Sequence, residues 1–174
     1  NPKRIVFAEA DNLDVLKAAQ IVIEDGIGVP ILLGRKDIIE DLKRELEFDQ
    51  PCLIIDPKTD EESGRRDRYS HEFWKLRQRK GVTQFDADKL LRQRNYFAAM
   101  MVKLGDADAL ITGVAQSYPI SVKPMMEIIG MAPGVEKIAT TNLMITDRGP
   151  LFISDTSINI EPDAMVLAKI AQMT

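Results

Sequence analysis

Cysteine and histidine are almost missing from the sequence, which contains one of each, Cys52 and His71. A single cysteine excludes a disulfide within the chain and a thiolate metal site, and a single histidine excludes a histidine-rich metal site. We therefore expect no bound metal. The scarcity of cysteine suits a reducing compartment, and the sequence predicts a cytoplasmic protein.

Long hydrophobic runs are also missing. No apolar stretch approaches the roughly 20 residues that cross a bilayer, and no secretion signal is visible. The net charge of −4 gives no general attraction to nucleic acid. Hydrophobic residues make up 45% of the chain and charged residues 29%, proportions that indicate a globular protein rather than a disordered one. We expect neither membranes nor nucleic acids as partners.

Standard catalytic and nucleotide-binding motifs are absent as well. Residues 9–12 read E-A-D-N where a dinucleotide site would have G-x-G-x-x-G, and no G-x-x-x-x-G-K-[ST] occurs. The stretch Gly113-Val-Ala-Gln-Ser117 differs from the G-x-S-x-G elbow, and nothing makes His71 a base for Ser117. The acidic residues are scattered and form no obvious dyad. No catalytic residue is predicted from these patterns.

Short apolar strands alternate with helical patterns in the first part of the chain. The strands IVFAEA, VPILLG and CLIID are separated by helical segments at 11–25 and 35–47. Asp11 is the expected N-cap of the first helix, and Gly26 its stop. Apolar strands between such helices indicate a parallel sheet that is buried on both faces. The predicted fold class is therefore three-layer α/β, with a mostly parallel sheet between helices.

A helical region is predicted from about residue 61 to residue 104. Gly81 interrupts it, and the capping-box-like sequence Thr83-Gln-Phe-Asp86 restarts it. Strand ALITG follows at 109–113. The helix after Ser117 is expected to bury one apolar set, Val122, Met125, Met126 and Ile129.

The pattern changes after Ala132-Pro-Gly134, where two strand-like segments flank Asp147-Arg-Gly149 and predict a hairpin. We place a first domain at 1–132 and the start of a second at 133–174. About forty residues are too few for a normal core. Because the chain starts without methionine and stops just after a helix, both edges are expected to be cuts through a longer polypeptide. Residues beyond the cut, or another copy, would then cover the apolar surface.

Two places in the sequence are candidates for binding an anion. The first is the junction from Gly113 to Pro124, where Ser117 can cap a helix and Lys123 adds positive charge. A plain turn with an exposed lysine explains this pattern equally well. The second is Arg77, whose planar fork suits phosphate or carboxylate, although a surface arginine is the simpler interpretation. Arg77 belongs to a basic stretch at 65–80, which is either a solvated helix face or a small anion site.

Five segments together resemble the phosphate acetyltransferase family, in particular the version that forms the C-terminal part of bacterial NADP-dependent malic enzymes. The segments run in family order across nearly the whole chain: KRIVFAEADNLDVLKAAQIVIEDGIGVPILLG, FWKLRQRKGVT, YFAAMMVKLGDADALITG, SYPISVKP and PLFISDTSINIEPDAMVLAKIA. The resemblance implies a two-domain α/β protein of the isocitrate/isopropylmalate-dehydrogenase-like class. It also implies that acyl-CoA and phosphate bind in the cleft between the domains.

The residues that the family uses are only partly retained. The arginine of the family's L-R-x-x-K-G segment is Arg77. The histidine usual in the junction falls on Gln116, next to a retained Ser117 and to Tyr118, and the arginine before proline falls on Lys123. The family arginine after the first strand falls on an acid, Asp14, and the D-L-S-R-G segment is not present. The resemblance thus implies a ligand site of Arg77, Gln116, Ser117, Tyr118 and Lys123, with no complete catalytic set.

The leading hypothesis is a regulatory and oligomerisation domain of an NADP-dependent malic enzyme that binds acetyl-CoA or a related metabolite. Oxidative decarboxylation of malate to pyruvate, with NADP and a divalent metal, would belong to a part outside this sequence. We therefore expect no cofactor here, but a homo-oligomer formed through this domain. The alternatives are a fragment of an active phosphate acetyltransferase, which joins acetyl phosphate to CoA, and a purely structural oligomerisation module.

Overall fold

A parallel sheet of four strands organises the first structural unit of the protein, which ends at Gly130. The computed structural model describes residues 2–135, 137–155 and 158–174. The strands are β1 (Lys3–Phe7), β2 (Gly28–Leu33), β3 (Leu53–Ile55) and β4 (Ala109–Ile111). Their order in the sheet is β3-β2-β1-β4, and every neighbouring pair is parallel. The carboxyl ends of all four strands therefore lie along one edge.

Helices cover both faces of this sheet. Helices α1 (Leu13–Glu24) and α2 (Lys36–Glu45) pack on one face, and α3 (Ser63–Arg77), α4 (Gln84–Leu90) and α5 (Arg94–Lys103) pack on the other. Successive strand residues alternate between the faces, so that Phe7 joins the core under α1 and α2, whereas Val6 joins the other core. The predicted α/β fold class, a parallel sheet between helices, is confirmed.

Hydrogen bonds at the helix ends test the predicted caps. Thr83 and Asp86 form a complete capping box at the start of α4, as predicted. The expected N-cap of α1 is wrong by one residue, because Asn12 accepts hydrogen bonds from the backbone N–H groups of Asp14 (3.0 Å) and Val15 (3.3 Å). The Asp11 carboxylate instead binds Arg94, 83 residues away in the sequence. A contact of this kind leaves no local pattern, so the sequence did not indicate it.

The predicted helix after Ser117 is shorter than expected. An α-helix, α6 (Tyr118–Pro124), passes directly into a π-helical segment, Met125–Ile129. The π-helical segment changes the angular spacing of the side chains and turns other residues inward. Met126 and Ile129 were predicted to be buried but are 50% and 41% exposed. The side chains buried here are Ser121, Pro124 and Ile128.

The second structural unit comprises Met131–Thr174, after a division that lies two residues before the predicted boundary. Strands β5 (Thr141–Thr146) and β6 (Gly149–Ser154) pair antiparallel across a two-residue turn, so the predicted hairpin is confirmed. Helix α7 (Ala164–Met173) follows. Large apolar side chains of this unit are exposed, among them Ile145 and Phe152. That further residues or another copy of the chain cover this apolar surface stays a prediction. Across the described residues, no helix is both long and apolar enough to span a bilayer.

Candidate anion-binding site

Backbone N–H groups of the junction after β4 bind a carboxylate of the same chain, the side chain of Glu9. Glu9 follows β1 and is only 3% exposed. Its Oε2 accepts hydrogen bonds from the backbone N–H groups of Val114 (2.8 Å) and Ala115 (3.0 Å), while its Oε1 is buried without a partner. Two backbone N–H groups of the loop between β4 and the following helix are therefore occupied by an internal carboxylate.

The polar residues of the junction that were predicted to contact a ligand, Gln116, Ser117 and Tyr118, are all exposed. Gln116 is exposed, and its Oε1 accepts a hydrogen bond from the buried amide of Asn95 at 3.2 Å. Asn95 is in turn held by the Thr112 hydroxyl, which donates to its Oδ1 at 2.7 Å. Ser117 occupies the N-cap position of α6 but makes no side-chain cap hydrogen bond. Ser117 and Tyr118 are both exposed, and whether they contact a ligand stays a prediction.

Arg77, at the end of α3, lies close to an acidic group. Its Nη2 is 3.6 Å from Glu127 Oε1, and its Nε is buried without an acceptor. The Tyr96 hydroxyl donates to Glu127 Oε2 at 2.6 Å. Burial raises the pKa of Tyr96, and the hydrogen bond to Glu127 and its negative charge raise it further. Tyr96 thus remains a hydrogen-bond donor over the whole physiological pH range.

Lys123 lies in the same region and faces a cavity of about 440 Å³, which we call the Glu127 cavity. Its charged lining residues are of both signs: Lys80, Asp86, Lys89, Lys123 and Glu127. Lys123 has no ion-pair partner among the described residues. The structure thus brings Lys123 near the Arg77–Glu127 pair, but it also places carboxylates next to these cations.

A second cavity, the basic pocket, lies at the carboxyl edge of the sheet. It has a volume of about 420 Å³ and is lined by Lys58, Arg92, Gln93, Arg94, Asn95, Gln116 and Ile120. Gln93 lines both cavities. Of the predicted ligand residues, only Gln116 lines this pocket, and only Lys123 lines the Glu127 cavity. Asp14, on the exposed side of α1, lines neither, so its negative charge does not face these two cavities.

The cations of the basic pocket were missed in the sequence because they are far apart along the chain. Lys58 follows β3, whereas Arg92 and Arg94 flank the start of α5. Arg94 donates to both carboxylate oxygens of Asp11, with both distances at 2.6 Å. The one available signal was position, since Lys58 and Gln116 each follow a strand end and such ends meet at one edge of a parallel sheet.

The basic stretch at 65–80 is not a single anion site. Four of its cations pair with carboxylates: Arg65 with Glu62, Arg68 with Asp106, Lys75 with Glu72 and Arg77 with Glu127. Arg66 is buried and donates to the backbone carbonyls of Pro57 and Thr59, both at 2.8 Å. The pairs of Arg65 and Lys75 are local, at i,i+3 spacing, whereas Arg66 and Arg68 connect α3 to other parts of the chain. Within the described parts of the chain, no three His, Cys, Asp or Glu side chains are grouped in a way that could hold a metal ion.

Comparison with known proteins places this chain in one family. The family model described as "Phosphate acetyl/butaryl transferase" matches residues 1–174. The phosphate acetyltransferase of Thermoanaerobacterium thermosaccharolyticum is 33% identical over 177 residues, which cover 98% of this chain and 53% of that protein. The NADP-dependent malic enzyme of Escherichia coli is 33% identical over 181 residues, which cover 99% of this chain and 23% of that protein.

A solved structure agrees with the sequence comparison. A phosphotransacetylase from Streptococcus pyogenes superposes with a TM-score of 0.84 at 35% identity, covering 98% of this chain and 51% of that one. The chain spans about half the length of such transferases and about a quarter of the malic enzyme. The match of fold, sequence and segment order leads to one conclusion: this chain belongs to the phosphate acetyl/butaryl transferase family.

Proposed function

We propose that this chain is a regulatory, non-catalytic member of its family that binds acetyl-CoA or a related anionic metabolite. The parent protein would be an NADP-dependent malic enzyme whose decarboxylation chemistry, with NADP and a divalent metal, belongs to a part outside these 174 residues. The domain would also take part in forming a homo-oligomer. Ligand contacts are proposed for Arg77, Gln116, Ser117, Tyr118 and Lys123.

The observation that carries this proposal is the state of Arg77. The resemblance makes Arg77 the retained phosphate-binding arginine, yet its guanidinium is turned towards Glu127 and its Nε has no acceptor. A guanidinium in this state has hydrogen-bonding capacity left for an anion, but Glu127 competes for it. Competition of this kind supports reversible binding of a ligand more than strong stabilisation of a transition state.

The residues of the junction support the same proposal. Catalysis of acyl transfer needs preorganised donors where negative charge develops. In this chain Glu9 occupies two amide donors of the junction, and the Gln116 side chain accepts a hydrogen bond from Asn95. Gln116 also stands where active members of the family have a histidine, and an amide does not exchange protons as an imidazole does.

An active phosphate acetyltransferase is the second candidate. It is supported by the 33% identity to the Thermoanaerobacterium enzyme, which equals the identity to the E. coli malic enzyme. This candidate predicts formation of acetyl-CoA from acetyl phosphate and CoA. A purely structural oligomerisation module is the third candidate. It predicts no binding of either compound, and it is supported by the exposed apolar side chains of the second unit.

Calorimetric titration of the full chain with acetyl-CoA, combined with a transferase assay, separates the three candidates. We expect saturable heat at submillimolar to millimolar ligand, and no acetyl-CoA formed from acetyl phosphate and CoA. Turnover would establish the transferase instead. Absence of both heat and turnover would leave the structural module, and the sensing role would be rejected.

A further inference from the structure

The buried amide of Asn95 connects the end of β4 to the junction that follows it. Asn95 is the second residue of α5 and is only 4% exposed. The hydroxyl of Thr112, the residue after β4, donates to Asn95 Oδ1 at 2.7 Å, and Asn95 Nδ2 donates to Gln116 Oε1 at 3.2 Å. The oxygen and the nitrogen of this amide are therefore both paired, as the burial of a polar group requires.

These three side chains form a hydrogen-bonded chain that has a direction. An amide oxygen accepts hydrogen bonds and an amide nitrogen donates them, so the two ends of an amide are not equivalent. The Thr112 hydroxyl faces Asn95 Oδ1 and therefore donates to it. The Asn95 Nδ2 then faces the junction and needs an acceptor, which Gln116 Oε1 supplies. The contact between Thr112 and Asn95 thus sets the orientation of the Gln116 amide.

The orientation of Gln116 leaves its amide nitrogen available as a donor. Gln116 lines the basic pocket, and its side chain makes no second hydrogen bond with the described residues. Its backbone is held as well, because Glu9 Oε2 accepts hydrogen bonds from the N–H groups of Val114 and Ala115, the two preceding residues. Gln116 Nε2 is therefore a preorganised donor, which reduces the ordering cost of a contact with a ligand.

We propose that Asn95 is a positioning residue that makes Gln116 a hydrogen-bond donor towards the ligand. This role rests on the proposed function, in which Gln116 contacts the ligand. The oriented amide selects a ligand that presents an acceptor oxygen, from a carbonyl or a phosphoryl group, and disfavours an ammonium group, which only donates. A histidine at this position could present either a donor or an acceptor, according to its tautomer. Gln116 held by Asn95 presents only a donor.

Asn95→Asp tests the role because it reverses the chain with little change in shape. A carboxylate accepts both from the Thr112 hydroxyl and from Gln116 Nε2, so the Gln116 amide must turn over and present its oxygen to the ligand. The added negative charge also weakens the binding of any anion. A double-mutant cycle separates the two effects, since Gln116→Met keeps the length of the side chain but has no amide to turn.

Each variant of the cycle is titrated by calorimetry with acetyl-CoA and with inorganic pyrophosphate, after circular dichroism and melting have shown that it is folded. We expect Asn95→Asp to weaken acetyl-CoA binding about tenfold more when residue 116 is glutamine than when it is methionine. Thr112→Val, which removes the donor that sets the direction, replaces Asn95→Asp if the latter does not fold. The expected coupling is then about threefold.

Hydrogen exchange measured by nuclear magnetic resonance gives a readout that a merely structural role of Asn95 would not change. The side-chain N–H groups of Gln116, assigned by their loss in Gln116→Met, should exchange quickly with water in the unmodified chain. In Asn95→Asp one of them donates to the new carboxylate, so its exchange should slow. Equally fast exchange in the folded Asn95→Asp variant would mean that the amide does not turn over, and the positioning role would be rejected.

The two ligands distinguish the source of the acceptor oxygen and separate this role from the proposed function. Coupling with acetyl-CoA alone assigns the acceptor to a carbonyl group, and coupling with both ligands assigns it to a phosphoryl group. A chain that shows coupling with pyrophosphate but does not bind acetyl-CoA supports the positioning role and rejects the proposed function. Acetyl-CoA binding without coupling rejects the positioning role and leaves the proposed function standing. If the unmodified chain binds neither compound, both are rejected.

Discussion

The basic pocket and the Glu127 cavity are neighbours of similar size that differ in charge balance. Both have volumes near 430 Å³, at about 420 and 440 Å³, and both are lined by Gln93. The Glu127 cavity combines three lysines with Asp86 and Glu127, whereas no carboxylate among the described residues lines the basic pocket. A carboxylate about 4 Å from a cation offsets a large part of its attraction for another anion.

The difference shows that a retained cation does not by itself make an anion site. The family resemblance pointed to Arg77 and Lys123, and both lie near Glu127. Lys58 and Arg92, which no motif indicated, face a cavity without compensating charge. Affinity for an anion depends on the sum of nearby charges and on their desolvation, so the neighbours of a cation matter as much as the cation.

The largest expected effect comes from removing the carboxylate that supports one wall of the basic pocket. Glu9→Ala leaves the N–H groups of Val114 and Ala115 without their acceptor in a partly buried place. We expect the free energy of unfolding to fall by about 1–3 kcal/mol, measured by urea denaturation. Pyrophosphate binding should weaken as well, because Gln116 loses its fixed backbone.

Glu9→Gln serves as the matched control, since its amide oxygen can still accept from both backbone N–H groups. It should retain most of the stability that Glu9→Ala loses. Equal stability of Glu9→Ala and the unmodified chain would show that these hydrogen bonds do not hold the junction.

The second prediction increases the difference in charge balance between the two cavities. Asp11→Asn removes the carboxylate that neutralises Arg94, so that a third uncompensated cation faces the basic pocket. We expect the affinity for pyrophosphate to rise about fivefold, which corresponds to roughly 1 kcal/mol, as measured by calorimetry. Unchanged affinity would mean that the Arg94 charge does not reach the bound anion.

The third prediction concerns the difference in charge balance between the two cavities. Removing an acid from the Glu127 cavity reduces this difference. Glu127→Gln is made in the Lys58→Gln, Arg92→Gln background, so that the basic pocket no longer contributes. With the competitor of Arg77 gone, we expect pyrophosphate affinity to rise by about threefold, which is a gain of less than 1 kcal/mol.

Tyr96 provides an independent readout of the same substitution. Removing the Glu127 charge removes one of the causes that raise the pKa of Tyr96, although burial remains. The tyrosinate absorbance should therefore develop at lower pH than in the parent variant. An unchanged tyrosine titration would contradict the assigned contact between Tyr96 and Glu127.

The smallest effect is expected at an ion pair outside both cavities. Arg4 and Asp108 connect the beginnings of β1 and β4, and the Arg4 side chain and backbone N–H lower the pKa of Asp108 from 3.8 to about 2. Because the folded-state pKa is lowered, the pair stabilises the protein above about pH 4. Its contribution is lost as the pH falls from about 4 to about 2.

Urea denaturation of the unmodified chain and Asp108→Asn at several pH values tests this expectation. The stability difference should be small at neutral pH, because both side chains are partly exposed, and it should disappear towards pH 2. A difference that stays constant through this pH range would mean that the charge of Asp108 is not involved.

Local patterns were sufficient to predict much of the fold. The alternation of apolar strands and amphipathic helices predicted the parallel sheet, Thr83 and Asp86 predicted a capping box, and the 147–149 turn predicted the hairpin. The burial of Met126 and Ile129 was wrong because a π-helical segment changes the spacing that a 3.6-residue period assumes. Asp11 was misassigned because its partner, Arg94, is distant in the sequence.

The sequence by itself determined the fold class and the family, since both follow from the order of residues along the chain. The periodicity of strands and helices indicated the fold class, and five colinear segments indicated the family. Only the tertiary structure decided which charges face each other. Glu9 binds the junction amides, Glu127 lies beside Arg77, and Lys58 shares a pocket with Arg92. Electrostatic interaction depends on distance in space and not along the chain, so a retained residue gains its role only from the neighbours that folding brings to it.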